Sequence, residues 1–223
     1  LNRRCEGLEN CVGDTALALA MISDDSFYME MKKDYAPEMV TAFIRLNGAT
    51  VGCVANRSEV YTDGEKTATY DAALTAAGCE KAAAFVNFCN AFEIPVLTLV
   101  NVDGYKNCKC NEKKIAKAAA RLTYAFANAD VPKVTVVVGK ANGTAGLTMN
   151  SKSIGSDIVY AWKNAKIGVM EAAPAVKIMY ADEIAKADNA AALINEKAAQ
   201  YNEMQASALA AAKRGYVDDI IEA

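Results

Sequence analysis

Two strand-to-helix junctions are the places in this sequence where backbone groups could do chemistry. The first runs from Leu99 to Tyr105 (LVNVDGY), and the second runs from Val136 to Gly146 (VVVGKANGTAG). In each, an apolar run that is typical of a buried strand gives way to glycine before a helix begins. Backbone N–H groups at the start of that helix have no partner within it, and the positive end of the helix dipole adds to them. Such a junction can bind an anion or stabilise an oxyanion, although the same glycines also serve simple tight turns.

Side-chain chemistry is restricted by composition. The sequence contains no histidine, which removes the commonest general base and excludes His-containing triads within this chain. Carboxylates, lysines, tyrosines, cysteines and backbone groups remain. The P-loop pattern G-x-x-x-x-G-K-[ST] and the dinucleotide pattern G-x-G-x-x-G are both absent, so neither junction is a standard nucleotide-binding loop.

The cysteines do not form an obvious framework. Their odd number and scattered spacing favour reduced thiols in a cytoplasmic protein over disulfides. Cys108-Lys109-Cys110 is the one close pair. A structural zinc site usually needs two C-x₂₋₄-C pairs, and only Cys5 and Cys11 remain as poorly spaced partners. We therefore predict no metal site. The seven cysteines are Cys5, Cys11, Cys53, Cys79, Cys89, Cys108 and Cys110.

Charge and length restrict the classes of protein to which this chain can belong. The chain has 223 residues, with 24 basic and 27 acidic side chains and a net charge of -3. That balance argues against a nucleic-acid surface, which needs a clustered basic excess. No run reaches the roughly 18 apolar residues of a membrane span. We predict one domain over residues 1–223 of a cytoplasmic protein, associated with a membrane only through a complex. The start lacks both Met and a signal-peptide pattern, which indicates a trimmed chain or part of a longer one.

Apolar strands that alternate with helices must position the two junctions, and this pattern predicts an α/β domain whose sheet is covered by helices. Asn47-Gly48 predicts a hairpin between Thr41–Leu46 and Thr50–Ala55. A loop is expected over Arg57–Thr67. The predicted strands are Pro95–Val102, Lys133–Val138, Asp157–Trp162 and Ile167–Met170, with a glycine-rich turn over Gly139–Gly146. The predicted helices are Asp24–Glu38, Ala68–Phe92 with a break near Gly78, Asn111–Asn128 with Asn111 as N-cap, Ala145–Ser151, one from Ala175, and Asp182–Arg214.

Motifs along almost the whole chain resemble the carboxyltransferase family of biotin-dependent acyl-CoA carboxylases and decarboxylases. They occur in the family's order, which makes the resemblance more specific than any single glycine loop. In this sequence they read FIRLNGATVG (43–52), FCNAFEIP (88–95), VDGY (102–105), AFANADVPK (125–133), KVTVVV (133–138), KAxGxA (140–145), DIVYAWKNAKIGVM (157–170) and RGYVDDII (214–221).

The resemblance implies an assembly as well as a fold. Members of the family pair two crotonase-like domains across a dimer interface, and this chain is similar to the C-terminal, biotin-binding one. An α/β crotonase-like β–β–α spiral is therefore expected. An acyl-CoA substrate and a separate acyl-CoA-binding half are implied, within a hetero- or homo-oligomer. Biotin is expected to arrive on a carrier protein, because the Met-Lys-Met attachment sequence is absent here.

The resemblance also implies the site. Biotin's ureido oxygen is expected where the two junctions converge. When carboxylate passes between carboxybiotin and an acyl-CoA, in either direction, negative charge develops on that oxygen. The backbone N–H groups of Tyr105, Thr144 and Ala145 are implied as its donors, so no catalytic side chain is required. The residues implied to approach biotin itself are Gly104, Gly143 and Gly146.

Four features depart from the family's pattern. Thr144 stands where glycine is common, which places a Cβ in the second loop. Leu147 replaces an acidic residue of propionyl-type members, which indicates a different acyl preference. Asp103 replaces a proline before the first loop's glycine. The segment Arg57–Thr75 looks longer than usual.

Several other side chains have both a functional and a structural interpretation. Lys140 could meet a carboxylate or a CoA phosphate, or be a solvated flank. Trp162 and Tyr160 could line a pocket, although aromatic residues on a strand are more often core. Asp218 and Asp219 are expected to cap a helix or contact another subunit. Asp103 could orient its loop.

Two further functions are compatible with the sequence. The chain could be a non-catalytic scaffold subunit of the same complex, a function that Thr144 favours. A stand-alone crotonase-type hydratase or isomerase is disfavoured, because no paired glutamates occur on the helices that follow the glycine loops.

Overall fold

The structure is a computed structural model that describes residues 5–223. Strands and helices alternate along the chain, as the sequence predicts. The strands are β1 (Tyr28–Glu30), β2 (Met39–Leu46), β3 (Ala49–Asn56), β4 (Glu59–Thr62), β5 (Glu65–Thr69), β6 (Ala73–Leu74), β7 (Val96–Val102), β8 (Gly104–Tyr105), β9 (Lys133–Asn142), β10 (Ile158–Trp162), β11 (Lys166–Gly168) and β12 (Asp219–Ile221). The helices are α1 (Thr15–Ile22), α2 (Ala76–Ala91), α3 (Lys109–Asn128), α4 (Gly143–Thr148), α5 (Ala172–Met179), α6 (Ala181–Lys186), α7 (Ala190–Tyr201) and α8 (Ala208–Lys213).

The main sheet has the strand order β1-β2-β3-β7-β9-β10-β12, and β11 also pairs with β9. The first three strands are antiparallel neighbours. From β3 onward the pairings are parallel, so these strands need helical crossovers between them. The strand pairs β4–β5 and β6–β8 form two small separate sheets.

Both faces of the main sheet are covered. Successive residues of a strand point to opposite faces, and β3 shows this directly. Val54 belongs to a core cluster with Val86 of α2 and Phe126 of α3. Its neighbour Cys53 belongs to a second cluster with Leu19 of α1. The sheet is therefore buried on two sides, as expected for strands that are apolar throughout.

The hairpin around Asn47-Gly48 is confirmed, with positive φ at both turn residues. The predicted helix over Asp24–Glu38 is wrong. That segment forms a 3₁₀ turn and then β1, which pairs with β2 at the sheet edge. Positive φ angles at Asp25, Ser26, Lys32 and Ala36 interrupt any helix. At helical spacing Phe27, Met31 and Tyr35 would share one face, yet all three are exposed.

The segment after β3 is also more regular than predicted. Arg57–Thr67 is not a loop, because β4 and β5 pair as a hairpin around Asp63-Gly64, a dipeptide that favours such turns. The helix predicted from Ala68 begins only at Ala76. Thr75 caps it by accepting a hydrogen bond from the N–H of Gly78 (2.9 Å). Gly78 does not break the helix.

Two predicted boundaries near the junctions are wrong. Gly139–Gly146 is not a turn, because β9 continues to Asn142, where it pairs with β11, and α4 starts at the next residue. Asn111 is not an N-cap, since α3 begins at Lys109. Instead, the Asn111 amide accepts a hydrogen bond from the Ala76 N–H (2.7 Å) and donates one to the Lys106 carbonyl (2.8 Å).

The carboxyl-terminal third folds back on the sheet. The helices α6, α7 and α8 replace the predicted helical run from Asp182 to Arg214, with a π turn over Asn202–Ala206 before α8. The segment after α8 ends in β12, which pairs in parallel with β10. None of the helices in residues 5–223 has the length and apolar character to cross a bilayer.

Candidate functional site

The two junctions lie side by side, as the sequence predicts. The strands β7 and β9 are parallel neighbours, so they end at the same edge of the sheet, and Val102 pairs with Ala141 there. Beyond the strands, the side-chain amide of Asn142 donates a hydrogen bond to the Asp103 carboxylate (3.3 Å). The two loops therefore approach each other at one end of the fold.

A bulge in β9, opposite Asn101 of β7, fixes this arrangement. The register with β9 shifts between Val100 and Val102, and Asn101 lies at the irregularity. Its side chain donates to the Val12 carbonyl (3.0 Å) and accepts from the Lys140 N–H (3.2 Å). Gly139 leaves room for it, since a Cβ there would lie 2.5 Å from the Asn101 Oδ1 atom. Bulges of this kind re-aim the strands that lead into a site.

The start of α4 presents backbone donors. The N–H groups of Gly143, Thr144 and Ala145 belong to the first turn of α4 and have no acceptor within the helix. Asn142 is the N-cap residue, and its side chain makes no capping hydrogen bond. Because α4 has only six residues, these N–H groups matter more than the helix dipole.

Glycine is required at both ends of this turn. Gly143 has φ of +57°, and a Cβ on it would lie 3.0 Å from the Val169 carbonyl oxygen. A Cβ on Gly146 would lie 2.7 Å from the carbonyl carbon of Ala141. The first glycine is therefore needed for its conformation and the second for the close packing of α4 on the end of β9.

A cavity of about 840 Å³ opens beside α4. Gly143, Thr144, Gly146 and Leu147 form one wall, and Leu147 is 45% exposed. The cavity wall among residues 5–223 contains no Asp or Glu. Its other residues are Val100, Thr135, Val137, Ala141, Met149, Ser151, Lys152, Ser153, Val159, Ile167, Gly168, Val169, Tyr201, Gln205, Arg214, Tyr216 and Val217.

The remaining predicted site residues lie next to the cavity and do not line it. Ala145 is buried, with 1% of its surface exposed. Gly104 and Tyr105 are half-buried and form β8, which pairs with β6. The Tyr105 hydroxyl lies 3.2 Å from the Thr148 hydroxyl of α4, and Thr148 in turn donates to the Thr144 carbonyl (2.9 Å). The first loop is thus tied to the second through a side chain.

Sequence reasoning missed the side of the cavity that the carboxyl terminus supplies. Tyr201, Gln205, Arg214 and Tyr216 come from the carboxyl-terminal segment that folds back over the sheet. Arg214 donates to the backbone carbonyl of Gln205 (2.9 Å) and to its side-chain oxygen (2.5 Å). Only the RGY motif pointed to this region, and nothing in it showed that it would reach α4.

Lys140 meets two carboxylates of this chain. Its ammonium lies 3.0 Å from Asp103 and 2.6 Å from Glu171. Burial opposes the charge, but the hydrogen bonds to Glu171 and Asp103 raise the pKa of Lys140 above its ordinary value. The lysine therefore joins the first loop to the segment before α5 through two ion pairs, while its side chain stays 36% exposed.

The aromatic residues of β10 and the aspartates before and in β12 have structural contacts. Trp162 belongs to the core, and Tyr160 is half-buried on β10. Asp218 caps no helix. It pairs with Lys152 (2.8 Å) and accepts from the Val159 N–H (2.7 Å), and these hydrogen bonds lower its pKa. Asp219 begins β12.

Metal ligands are not clustered in the part of the chain that the structure describes. Within residues 5–223, no group of three or more His, Cys, Asp or Glu side chains could hold a metal ion.

Comparison with known proteins gives consistent matches. The sequence profile of the carboxyl transferase domain matches residues 9–223. The chain is 39% identical over 210 residues to the methylmalonyl-CoA carboxyltransferase 12S subunit of Propionibacterium freudenreichii subsp. shermanii, covering 94% of this chain and 38% of that protein. It is 38% identical over 211 residues to the methylmalonyl-CoA decarboxylase subunit alpha of Propionigenium modestum. The match covers 92% of this chain and 38% of that protein.

Solved structures agree. A transcarboxylase 12S crystal structure superposes with a TM-score of 0.85 at 40% identity, covering 94% of this chain and 39% of that one. The beta subunit of P. aeruginosa geranyl-CoA carboxylase superposes with a TM-score of 0.78 at 26% identity. The superposition covers 93% of this chain and 38% of that one. The expected crotonase-like α/β fold is thereby confirmed. The chain spans less than two fifths of the length of these relatives.

Proposed function

The chain belongs to the carboxyl transferase domain family, and we propose that it is the biotin-binding half of a biotin-dependent acyl-CoA carboxyltransferase or decarboxylase. The observation that carries this proposal is the start of α4, where unpaired backbone N–H groups lie beside an 840 Å³ cavity. The relatives named as a carboxyltransferase and a decarboxylase support both directions of reaction. The domain limits of 1–223 belong to the same proposal.

The cavity fits a ligand such as biotin. Its wall is mostly apolar, with Val137, Val159, Ile167 and Val217 among its residues, and its volume is within the usual range of roughly 300–1,000 Å³ for small-molecule sites. When biotin is bound, it supplies the ureido nitrogen that carries the carboxylate. Arg214 and Lys152 are cationic groups on the wall, which suits a carboxylate.

The backbone supplies the chemistry that the side chains lack. In this proposal the N–H groups of Thr144 and Ala145, with that of Tyr105 from the first loop, donate to the oxygen on which negative charge develops. A mostly apolar wall strengthens such hydrogen bonds. Gly104, Gly143 and Gly146 let the backbone come close, and the last two are the glycines whose replacement would strain or crowd the turn.

Leu147 is the proposed determinant of acyl preference. It lies one helical turn from Thr144, on the same side of α4, and both residues line the cavity. An apolar side chain at this position favours an acyl group without a charge near it. The acyl-CoA itself is proposed to bind to a partner half, and the biotin carrier is a second partner.

A hydratase function loses support from the cavity, because the described part of its wall has no carboxylate to act as a general acid or base. A scaffold function rests on Thr144. That residue is exposed, so its side chain does not fill the interior of the turn. Location in the cytoplasm, with membrane contact only through a complex, stays part of the proposal.

Native mass spectrometry combined with an exchange assay tests the proposed role. The chain is measured alone and after co-expression with an acyl-CoA-binding half and a biotin carrier domain. We expect assembly, and carboxylate exchange between acyl-CoA and biotin only in the assembled state. A stable monomer that exchanges carboxylate alone would contradict the proposal, and an assembled but inactive complex would support the scaffold.

A further inference from the structure

Six of the seven cysteines fall into two groups, and the seventh, Cys5, is half-buried and belongs to neither. Cys11, Cys53, Cys79 and Cys89 are buried. Burial raises the pKa of each of these thiols, to about 12 for Cys79 and Cys89, which makes them unreactive. Cys108 and Cys110 lie at the surface, with their Sγ atoms 2.9 Å apart.

The surface pair has the features of a reactive thiol and its partner. Cys108 is the N-cap residue of α3, a helix of 20 residues. The hydrogen bond from Cys110, the backbone N–H of Asn111 and the nearby charge of Lys106 all lower the pKa of Cys108. The pKa of Cys110 is raised by its hydrogen bond to Cys108. One thiol is therefore favoured as the thiolate, while the other holds its proton beside it.

The pair is also connected to the first junction. Cys108 follows Tyr105 by three residues. Asn111, one residue after the pair, binds the Lys106 carbonyl (2.8 Å) and the Ala76 N–H (2.7 Å). The N–H of Lys106 donates to the Leu74 carbonyl (2.9 Å). The start of α3 and the segment after β8 thus form one hydrogen-bonded unit.

We propose that Cys108 and Cys110 are a dithiol–disulfide exchange site, oxidised by a low-molecular-weight disulfide such as glutathione disulfide. The Cys108 thiolate attacks one sulfur of that disulfide, which forms a mixed disulfide and releases one thiolate. Cys110 then loses its proton and attacks the Cys108 sulfur, which releases the second thiolate. The pair gives up two electrons and two protons, and the small disulfide is reduced to two thiols. This inference is independent of the proposed function.

The test uses the full chain with every cysteine present. The protein is equilibrated in glutathione buffers of increasing oxidising ratio, quenched in acid and alkylated, and peptides are identified by mass. We expect Cys108 and Cys110 to lose alkylation together, as one internal disulfide with no stable glutathione adduct. Cys11, Cys53, Cys79 and Cys89 are expected to stay reduced in the folded protein.

Two variants separate the steps. Cys110→Ser removes the second attack, so a glutathione adduct should accumulate on Cys108. Cys108→Ser removes the hydrogen bond that raises the pKa of Cys110, so Cys110 should form the adduct only at the rate of an ordinary exposed thiol, more slowly than Cys108 does in Cys110→Ser. Wild-type protein that keeps both thiols, or an adduct that forms equally on either single variant, would overturn the proposal. A thermal melt of each variant confirms that it is folded.

Discussion

Two regions of this molecule deal with charge in opposite ways. At the amino end of α2, Arg57 and Glu30 form an ion pair (3.1 Å) with side chains only 5% and 6% exposed, and Arg57 also donates to the Pro37 carbonyl (2.8 Å). Lys81 is buried nearby, with the Ala36 carbonyl 3.3 Å from its ammonium. At the start of α4, in contrast, uncharged backbone N–H groups lie beside the cavity.

Each region is suited to stabilise a different kind of charge. Permanent buried charges need charged or carbonyl partners, since an unpaired one is costly. A charge that exists only during a reaction is better met by fixed dipoles, which need no counter-ion when the site is at rest. The first region is therefore suited to hold structure, and the second to hold a transient anion.

Removing the buried arginine should have the largest effect on stability. Arg57→Met leaves Glu30 buried without its partner, so we expect unfolding free energy to fall by about 3–5 kcal/mol. Denaturant melts measure this. The double variant with Glu30→Gln should recover much of the loss, because no unpaired charge remains. A single variant as stable as wild type would show that the pair is not a structural requirement.

The buried Lys81 should make the free energy of unfolding depend on pH. Burial, the largest effect, lowers its pKa to about 8, whereas an unfolded lysine titrates near 10.4. Between these values the unfolded state binds more protons, so stability rises with pH. Relative to Lys81→Met, wild-type protein should gain about 2.5 kcal/mol from pH 8 to 10.5, because Lys81 is already half neutral in the folded state at pH 8. The difference between the two melts isolates Lys81 from the other titrating groups, and a difference that stays flat would refute a lowered pKa.

Thr144→Gly should have the smallest effect, because it leaves every backbone donor in place. We expect carboxylate exchange in the assembled complex to be kept or improved, since a Cβ near the ligand is removed. Stability should fall by roughly 0.5–1 kcal/mol, the usual effect of glycine in a helix. Exchange rate and Tm are measured on the same preparation. Loss of exchange at unchanged assembly would assign the Thr144 side chain a direct role.

The sequence predicted local features better than distant ones. The strands around Val96–Val102 and Lys133–Val138 were correct because long apolar runs between turn signals have few other outcomes. Gly143 and Leu147 were placed in the site by motif and do line one cavity. The helix over Asp24–Glu38 failed because apolar residues at helical spacing also occur on an exposed sheet edge.

Contacts between distant segments were not predictable. Arg57 and Glu30 are 27 residues apart and meet only because β1 pairs with β2. Tyr201, Gln205 and Arg214 reach the cavity because the carboxyl-terminal helices fold back, which depends on packing and not on local pattern. Neither the ion pair nor this side of the cavity can be inferred from residue spacing or from secondary-structure propensity.

Deleting a single backbone donor tests the central claim most directly. Ala145→Pro removes the N–H, but the ring must fit where the residue is 1% exposed, so its folding and assembly must be checked by thermal melt. Replacing the Ala145 amide with an ester removes the same hydrogen and keeps the methyl group. The same replacement at Ala191, an exposed first-turn residue of α7, is the matched control.

Both ester proteins are assembled with the partner half, and carboxylate exchange with biotin is measured. Loss of one oxyanion donor typically lowers a rate by about 10²–10³, so we expect a decrease of that size at Ala145 and little change at Ala191. An Ala145 ester that is folded, assembled and as active as its control would contradict the assignment of the α4 backbone as the anion-stabilising group.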